Sequence, residues 1–132
     1  MPAARAAADV VRLLLVEDNP RDARLVEIAL SEVPELKVEL HRAASLVQAR
    51  ARLGGMDVIL LDLGLPESQG LPTLRALLPD ARRVPIVVLS GQSDMESEEE
   101  AMAAGARGYL SKNHLTAAGL VERIEAALRR PA

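Results

Sequence analysis

The sequence has no cysteine, no phenylalanine and no tryptophan, and its only tyrosine is Tyr109. The lack of cysteine excludes disulfides, thiolate nucleophiles and thiolate-held metals. With so few aromatics, the interior has to be built from Leu, Val, Ile and Ala, which singles out Tyr109. No apolar run approaches the ~20 residues that span a bilayer, so no membrane contact is expected. The amino end, residues 1–9, carries one arginine and a short alanine run, without the apolar core of a signal peptide. It reads as a flexible arm, and the protein as cytoplasmic. Basic residues neither predominate nor cluster: 16 Lys and Arg stand against 19 Asp and Glu, for a formal net charge of -3. That balance gives no support for a nucleic-acid surface. The glycine patterns of phosphate loops and dinucleotide-binding turns are also missing.

What remains is a 132-residue chain, 49% hydrophobic and 27% charged, the size and composition of one globular domain. Its organising stretch is Val58-Ile59-Leu60-Leu61-Asp62, an unbroken apolar run ending in a carboxylate. Such a run suits a strand buried on both faces of a parallel sheet. Val10 to Val16 is a similar strand, ending in Glu17-Asp18, and Asn19-Pro20 then caps and opens a helix. That helix carries Ala23, Val26, Ile28, Ala29 and Leu30 and stops near Pro34. Leu36 to His41 alternates with period two, as an edge strand would. Ser45 and Gln48 form a capping-box pair before a helix with Leu46, Val47, Ala49, Ala51 and Leu53, which ends at Gly54-Gly55.

Past Asp62 a helix is expected from about Leu71 to Leu78, then a strand from Pro85 to Leu89 ending in Ser90-Gly91. Ser93 and Glu96 suggest a second capping box. The helix behind them is crowded with acid and has little besides Met95, Ala101, Met102 and Ala103 to bury, so Met95 and Met102 read as core packing on a weakly anchored helix. Arg107 to Ser111 is a short fifth strand leading to Lys112, and a residue near Thr116 caps a last helix with Leu120, Val121, Ile124, Ala127 and Leu128. Five strands alternating with five helices make a doubly wound α/β domain.

Every polar side chain of interest then falls just after a predicted strand: Glu17-Asp18, Asp62, Ser90 and Lys112. In a sheet of order 2-1-3-4-5, the first and third strands are neighbours, which brings Glu17, Asp18 and Asp62 together. Three close carboxylates repel, and at least one keeps its proton unless a cation is supplied. The donors are all oxygens, which suits a hard divalent ion such as Mg²⁺. An aspartate beside such an ion, a hydroxyl and an ammonium can accept a phosphoryl group. Ser90 would then bond one phosphoryl oxygen and Lys112 another, and Tyr109 would swing inward behind Ser90 to change the nearby surface. His41 and His114 have no ligand-spaced partners and read as surface residues.

These residues, as Leu15-Val16-Glu17-Asp18-Asn19-Pro20, Asp62-Leu63-Gly64-Leu65-Pro66 with Gly70, Val88-Leu89-Ser90-Gly91 and Tyr109-Leu110-Ser111-Lys112, make the chain resemble the receiver domain of two-component response regulators. The resemblance covers Val10 to about Arg130 and implies a flavodoxin-like domain over residues 10–130. It implies Asp62 as the phospho-accepting aspartate, Asp18 as a direct Mg²⁺ ligand, Glu17 as a partner acting through water, and the Gly64 carbonyl as a further ligand. Ser90 and Tyr109 would be the switch pair and Lys112 the family lysine. The donor would be a phosphohistidine on a sensor histidine kinase or phosphotransfer protein. Slow loss of the phosphoryl group to water would be the only other activity, with no separate small-molecule substrate.

Two features depart from the family pattern. Asn113 follows Lys112 where proline is usual, so the bond there is expected to be trans. The loop Gly64 to Gly70 has Gly and Leu where bulkier residues are common, as in receivers encoded near sensor kinases, phytochrome-type light sensors included. Nothing after Arg130 is long enough to bind DNA or make a second messenger, so a stand-alone receiver, a relay shuttle or an excised piece is expected. Such a protein acts by docking partners or by forming a homodimer through the fourth helix, fifth strand and fifth helix. Two other readings are a phosphorylation-independent pseudo-receiver, which has no reason to keep this cluster, and a small hydrolase with an aspartate nucleophile. The hydrolase would need a cap and an acid-base residue two positions past the nucleophile, where Gly64 stands.

Overall fold

A computed structural model describes residues 10–91 and 95–129. The arm 1–9, Ser93 of the second capping box and the chain beyond Arg129 lie outside the described residues. Five principal strands, β1 Val11–Val16, β2 Val38–Ala43, β3 Val58–Asp62, β4 Ile86–Ser90 and β5 Gly108–Ser111, form one parallel sheet. Its order is β2-β1-β3-β4-β5, the doubly wound arrangement expected from the sequence. The helices are α1 Pro20–Ser31, α2 Leu46–Ala51, α3 Leu71–Ala81, α4 Met95–Ala104 and α5 Ala117–Arg129.

Successive side chains of a strand point to opposite faces, and both faces here are apolar. Leu13, Leu15, Val58 and Leu60 meet Val26, Leu30, Leu120 and Ile124 of α1 and α5. Leu14, Val16, Ile59 and Leu61 meet Leu46, Leu74, Leu77 and Ala101 of α2, α3 and α4. Each fully buried Leu, Ile or Val among them contributes on the order of 1.5–3 kcal/mol. The central strand is buried along its whole length, which explains why its sequence shows no alternation.

Local signals set most boundaries. The Asn19 side chain accepts from the Arg21 and Asp22 amides at 2.8 and 3.3 Å, and Pro20 occupies the first turn of α1. Thr116 Oγ1 accepts from the Gly119 amide at 3.0 Å at the start of α5. At α2 the Ser45 hydroxyl accepts from Gln48 N at 3.1 Å, while the Gln48 side chain reaches back to the Ala44 amide at 2.8 Å, one residue earlier than a regular box. The loop after Asp62 is tied down: Gly64–Leu65 pairs with Ser68–Gln69, Gly70 N donates to Leu63 O at 2.8 Å, and Glu67 accepts from Leu46 N at 2.6 Å.

Several expectations need correction. The edge strand spans Val38–Ala43, two residues later than Leu36 to His41, and its pairing with β1 starts at Val38 opposite Val11. α1 ends at Ser31, and α3 continues past Leu78 through Pro79, because Ala81 is buried against the core. Ile28 and Val47 are exposed, not packed inward. Met95 and Met102 are also exposed; Ala101 is the residue α4 buries, so the two methionines are surface and not core.

Gly105, where α4 ends, has φ +127°, and a Cβ there would lie 3.2 Å from the Leu78 side chain. Gly105→Ala is therefore expected to cost about 1–2 kcal/mol through backbone strain. The urea-denaturation midpoint should fall accordingly, and an unchanged midpoint would contradict this account of the turn.

Candidate functional site

Sheet topology alone brings the polar strand ends to one edge. Asp62 ends β3, Glu17 and Asp18 follow β1 directly, Ser90 ends β4, and Lys112 follows β5. Because β1 and β3 are adjacent, Glu17, Asp18 and Asp62 each offer an oxygen within 4.8 Å of the others. Glu17 and Asp62 are buried, at 0% and 4% exposure, and Asp18 is half-buried. The Gly64 amide donates to Asp62 Oδ1 at 3.0 Å and fixes the plane of that carboxylate. Asn19 N donates to Glu17 Oε2 at 3.2 Å.

Lys112 enters from the other side. Its Nζ lies 2.8 Å from Glu17 Oε1, 3.1 Å from Asp62 Oδ2 and 2.7 Å from Asp22 Oδ2. Ser90 and Tyr109 are buried and line the same open cleft of about 650 Å³, as do Gly64 and Lys112. Tyr109 is buried and belongs to the core cluster on the α3–α4 side of the sheet. The peptide bond after Lys112 is trans, and Lys112–His114 form a short 3₁₀ turn. Asn113 Nδ2 donates to the Gly91 carbonyl at 3.3 Å, joining the loops after β4 and β5.

Two residues at the site were not anticipated. Asp22 stands on the first turn of α1, where an acidic residue reads as a helix-start preference. A signal was present: Asp22, Val26, Ala29 and Leu30 share one helical stripe, so the carboxylate lies on the core-facing side. Arg42, on the edge strand, donates from Nε to the Glu17 carbonyl and from Nη2 to the Asp18 carbonyl, both at 3.0 Å. It clamps the backbone of the acidic pair. An arginine near the end of an edge strand gives no sequence signal for that role.

The electrostatics follow from the crowding. Burial pushes the Glu17 carboxyl up to about 7, the adjacent Asp62 adds to the rise, and Lys112 opposes it. Glu17 Oε1 is buried with Lys112 Nζ nearby but without an aligned hydrogen bond. Burial disfavours the charge on Lys112, but Asp22, Glu17 and Asp62 outweigh that and hold it above the usual lysine range. Such a site has more negative charge than its one ammonium offsets, and its spare oxygens suit a hard cation held by Glu17, Asp18 and Asp62.

A raised carboxyl pKa makes the native state hold a proton that the unfolded state releases. Stability of the cation-free protein should be full below about 4.5 and fall as pH rises to about 7. The loss is of order 3 kcal/mol. Glu17→Gln should flatten that slope and raise stability at pH 8, as read by urea denaturation in a chelator; an unchanged slope would contradict the assignment.

The chain is similar to known proteins of one family. The family model described as response regulator receiver domain matches residues 13–125. The cell cycle transcriptional regulator CtrA of Caulobacter vibrioides is 30% identical over a 129-residue alignment covering 91% of this chain and 51% of CtrA. The chain thus spans about half the length of that curated relative. A Chloroflexus aurantiacus J-10-fl structure assigned as a response regulator superposes with a TM-score of 0.78 at 28% identity, over 92% of this chain and all of that one (100%). The chemotaxis protein CheY4 of Vibrio cholerae gives 0.72 at 25% identity, over 91% of this chain and 100% of its own. With its matched segment reaching from within β1 into α5, the chain belongs to the response regulator receiver domain family.

Proposed function

We propose that the protein receives a phosphoryl group on Asp62 from a phosphohistidine of a sensor histidine kinase or phosphotransfer protein, in a Mg²⁺-dependent reaction. The observation that carries the reading is the cluster itself: three carboxylate oxygens within 4.8 Å of one another, with one ammonium among them. Asp18 and Asp62, the Gly64 carbonyl and, through water, Glu17 would hold the ion. A bound Mg²⁺ supplies positive charge to the transferring phosphoryl oxygens and keeps the acidic pair ionised.

In the transfer, an Asp62 oxygen forms the new bond to phosphorus as the phosphorus–nitrogen bond breaks, and the electron pair stays on the donor imidazole. The Gly64 amide holds one Asp62 oxygen in place, and Lys112 offers its charge on the side of the other. Ser90 donates to a phosphoryl oxygen, and Tyr109 beside it passes the change to the surface of α4, β5 and α5. The shallow anchoring of α4 on Ala101 suits an element that shifts at low cost. Kinases of the phytochrome type are among the donors to be tried.

Incubation with Mg²⁺ and acetyl phosphate or phosphoramidate should give one base-labile phosphoryl adduct by intact mass. The adduct should disappear in Asp62→Asn and on chelation. An adduct that survives in Asp62→Asn would move the acceptor elsewhere. No adduct from these donors or from a phosphohistidine protein would leave a phosphorylation-independent interaction module.

A further inference from the structure

Lys112 has three N–H donors and three carboxylate neighbours, and the shortest contact is to the one outside the acidic cluster: Asp22 Oδ2, at 2.7 Å. The α1 terminus does not need the Asp22 carboxylate, because Asn19 already accepts from the Arg21 and Asp22 amides. That side chain points instead along the core-facing stripe to the rim of the cleft, about one-third exposed at 34%. We propose that Asp22 is a positioning residue for Lys112. It draws the ammonium toward α1 and shares its charge, so a phosphoryl group at Asp62 receives less of that charge than Glu17, Asp62 and Lys112 alone would give it.

The inference rests on Asp62 as the phosphoryl acceptor. When Asp62 is loaded, a phosphoryl oxygen replaces one carboxylate partner of Lys112, and a bound cation offsets the charge of Glu17. Asp22 is the partner that this reaction leaves untouched. Its Oδ2 lies no more than about 6 Å from Asp62 Oδ2, since both are bound to the same nitrogen. It therefore competes by holding the ammonium toward α1 and away from the incoming group. Asp22 thereby sets how strongly the site retains phosphate, and it does so from the exposed end of α1, where a docking partner can reach it.

Beryllofluoride, a phosphoryl mimic, tests this at equilibrium on the full chain in saturating Mg²⁺. Asp22→Asn and Asp22→Ala should both bind it about three- to fivefold tighter, the upper part of the range for one partly exposed, solvent-screened ion pair. A structural role for the carboxylate would instead leave Asn like the wild type and weaken binding in Ala. In a Lys112→Met background, the Asp22→Asn change should shrink below about twofold, because the effect runs through the ammonium. Unaltered affinity in both Asp22 variants, or equal tightening without Lys112, overturns the proposal. A wild-type chain that binds no beryllofluoride overturns the reading of Asp62 and this inference with it, whereas wild-type binding with unresponsive Asp22 variants overturns the inference alone.

Discussion

One ammonium among crowded carboxylates at the end of a buried sheet is the constraint the molecule is built around. Burying a carboxylate is costly unless charge or hydrogen bonds compensate it, and removing one partner of a buried pair leaves the other exposed to that cost. Glu17 and Asp62 are buried, and Lys112 lies within 3.1 Å of both. The remaining local features hold this unfavourable grouping in place. Arg42 clamps the carbonyls of the acidic pair, the Gly64 amide holds Asp62, and the Asn19-Pro20 start of α1 presents Asp22. Glu17, Asp18 and Asp62 still offer oxygens within 4.8 Å of one another, the crowding on which the proposed cation binding rests.

The two apolar layers supply the stiffness that this grouping needs. β1 and β3 are buried on both faces, so the ends carrying Glu17, Asp18 and Asp62 have little freedom to separate. Rigidity is unevenly spread, however. α5 packs with Leu120, Ile124 and Ala127, whereas α4 is held through Ala101 and exposes Met95, Met102 and a run of glutamates. A charge event near Ser90 and Tyr109 therefore meets a firm sheet on one side and a lightly held helix on the other. That asymmetry is where the proposed phosphoryl transfer would show as a surface change.

Much of this was readable in the sequence because burial on both faces erases alternation. The runs ending in Glu17-Asp18, Asp62 and Ser90 stood out, and their polar ends could only lie at the sheet's carboxyl edge. Lys112 followed from the short run through Tyr109. Asp22 was hidden because an acid in a first helical turn has an ordinary explanation; only its stripe with Val26 and Leu30 betrayed it. Arg42 was hidden because it acts on backbone carbonyls of a neighbouring strand, and the edge strand, expected over Leu36 to His41, spans Val38–Ala43, since alternation on a half-wet strand does not fix its ends. Met95 and Met102 were misassigned inward because hydrophobic type alone does not tell a surface methionine from a core one.

The most direct test is a calorimetric titration of the chelator-treated protein with Mg²⁺ near neutral pH. The account predicts one saturable ion per chain, lost when Asp18 is replaced by Asn. A wild-type chain without saturable binding, or an Asp18→Asn chain that binds as well as the wild type, would contradict it.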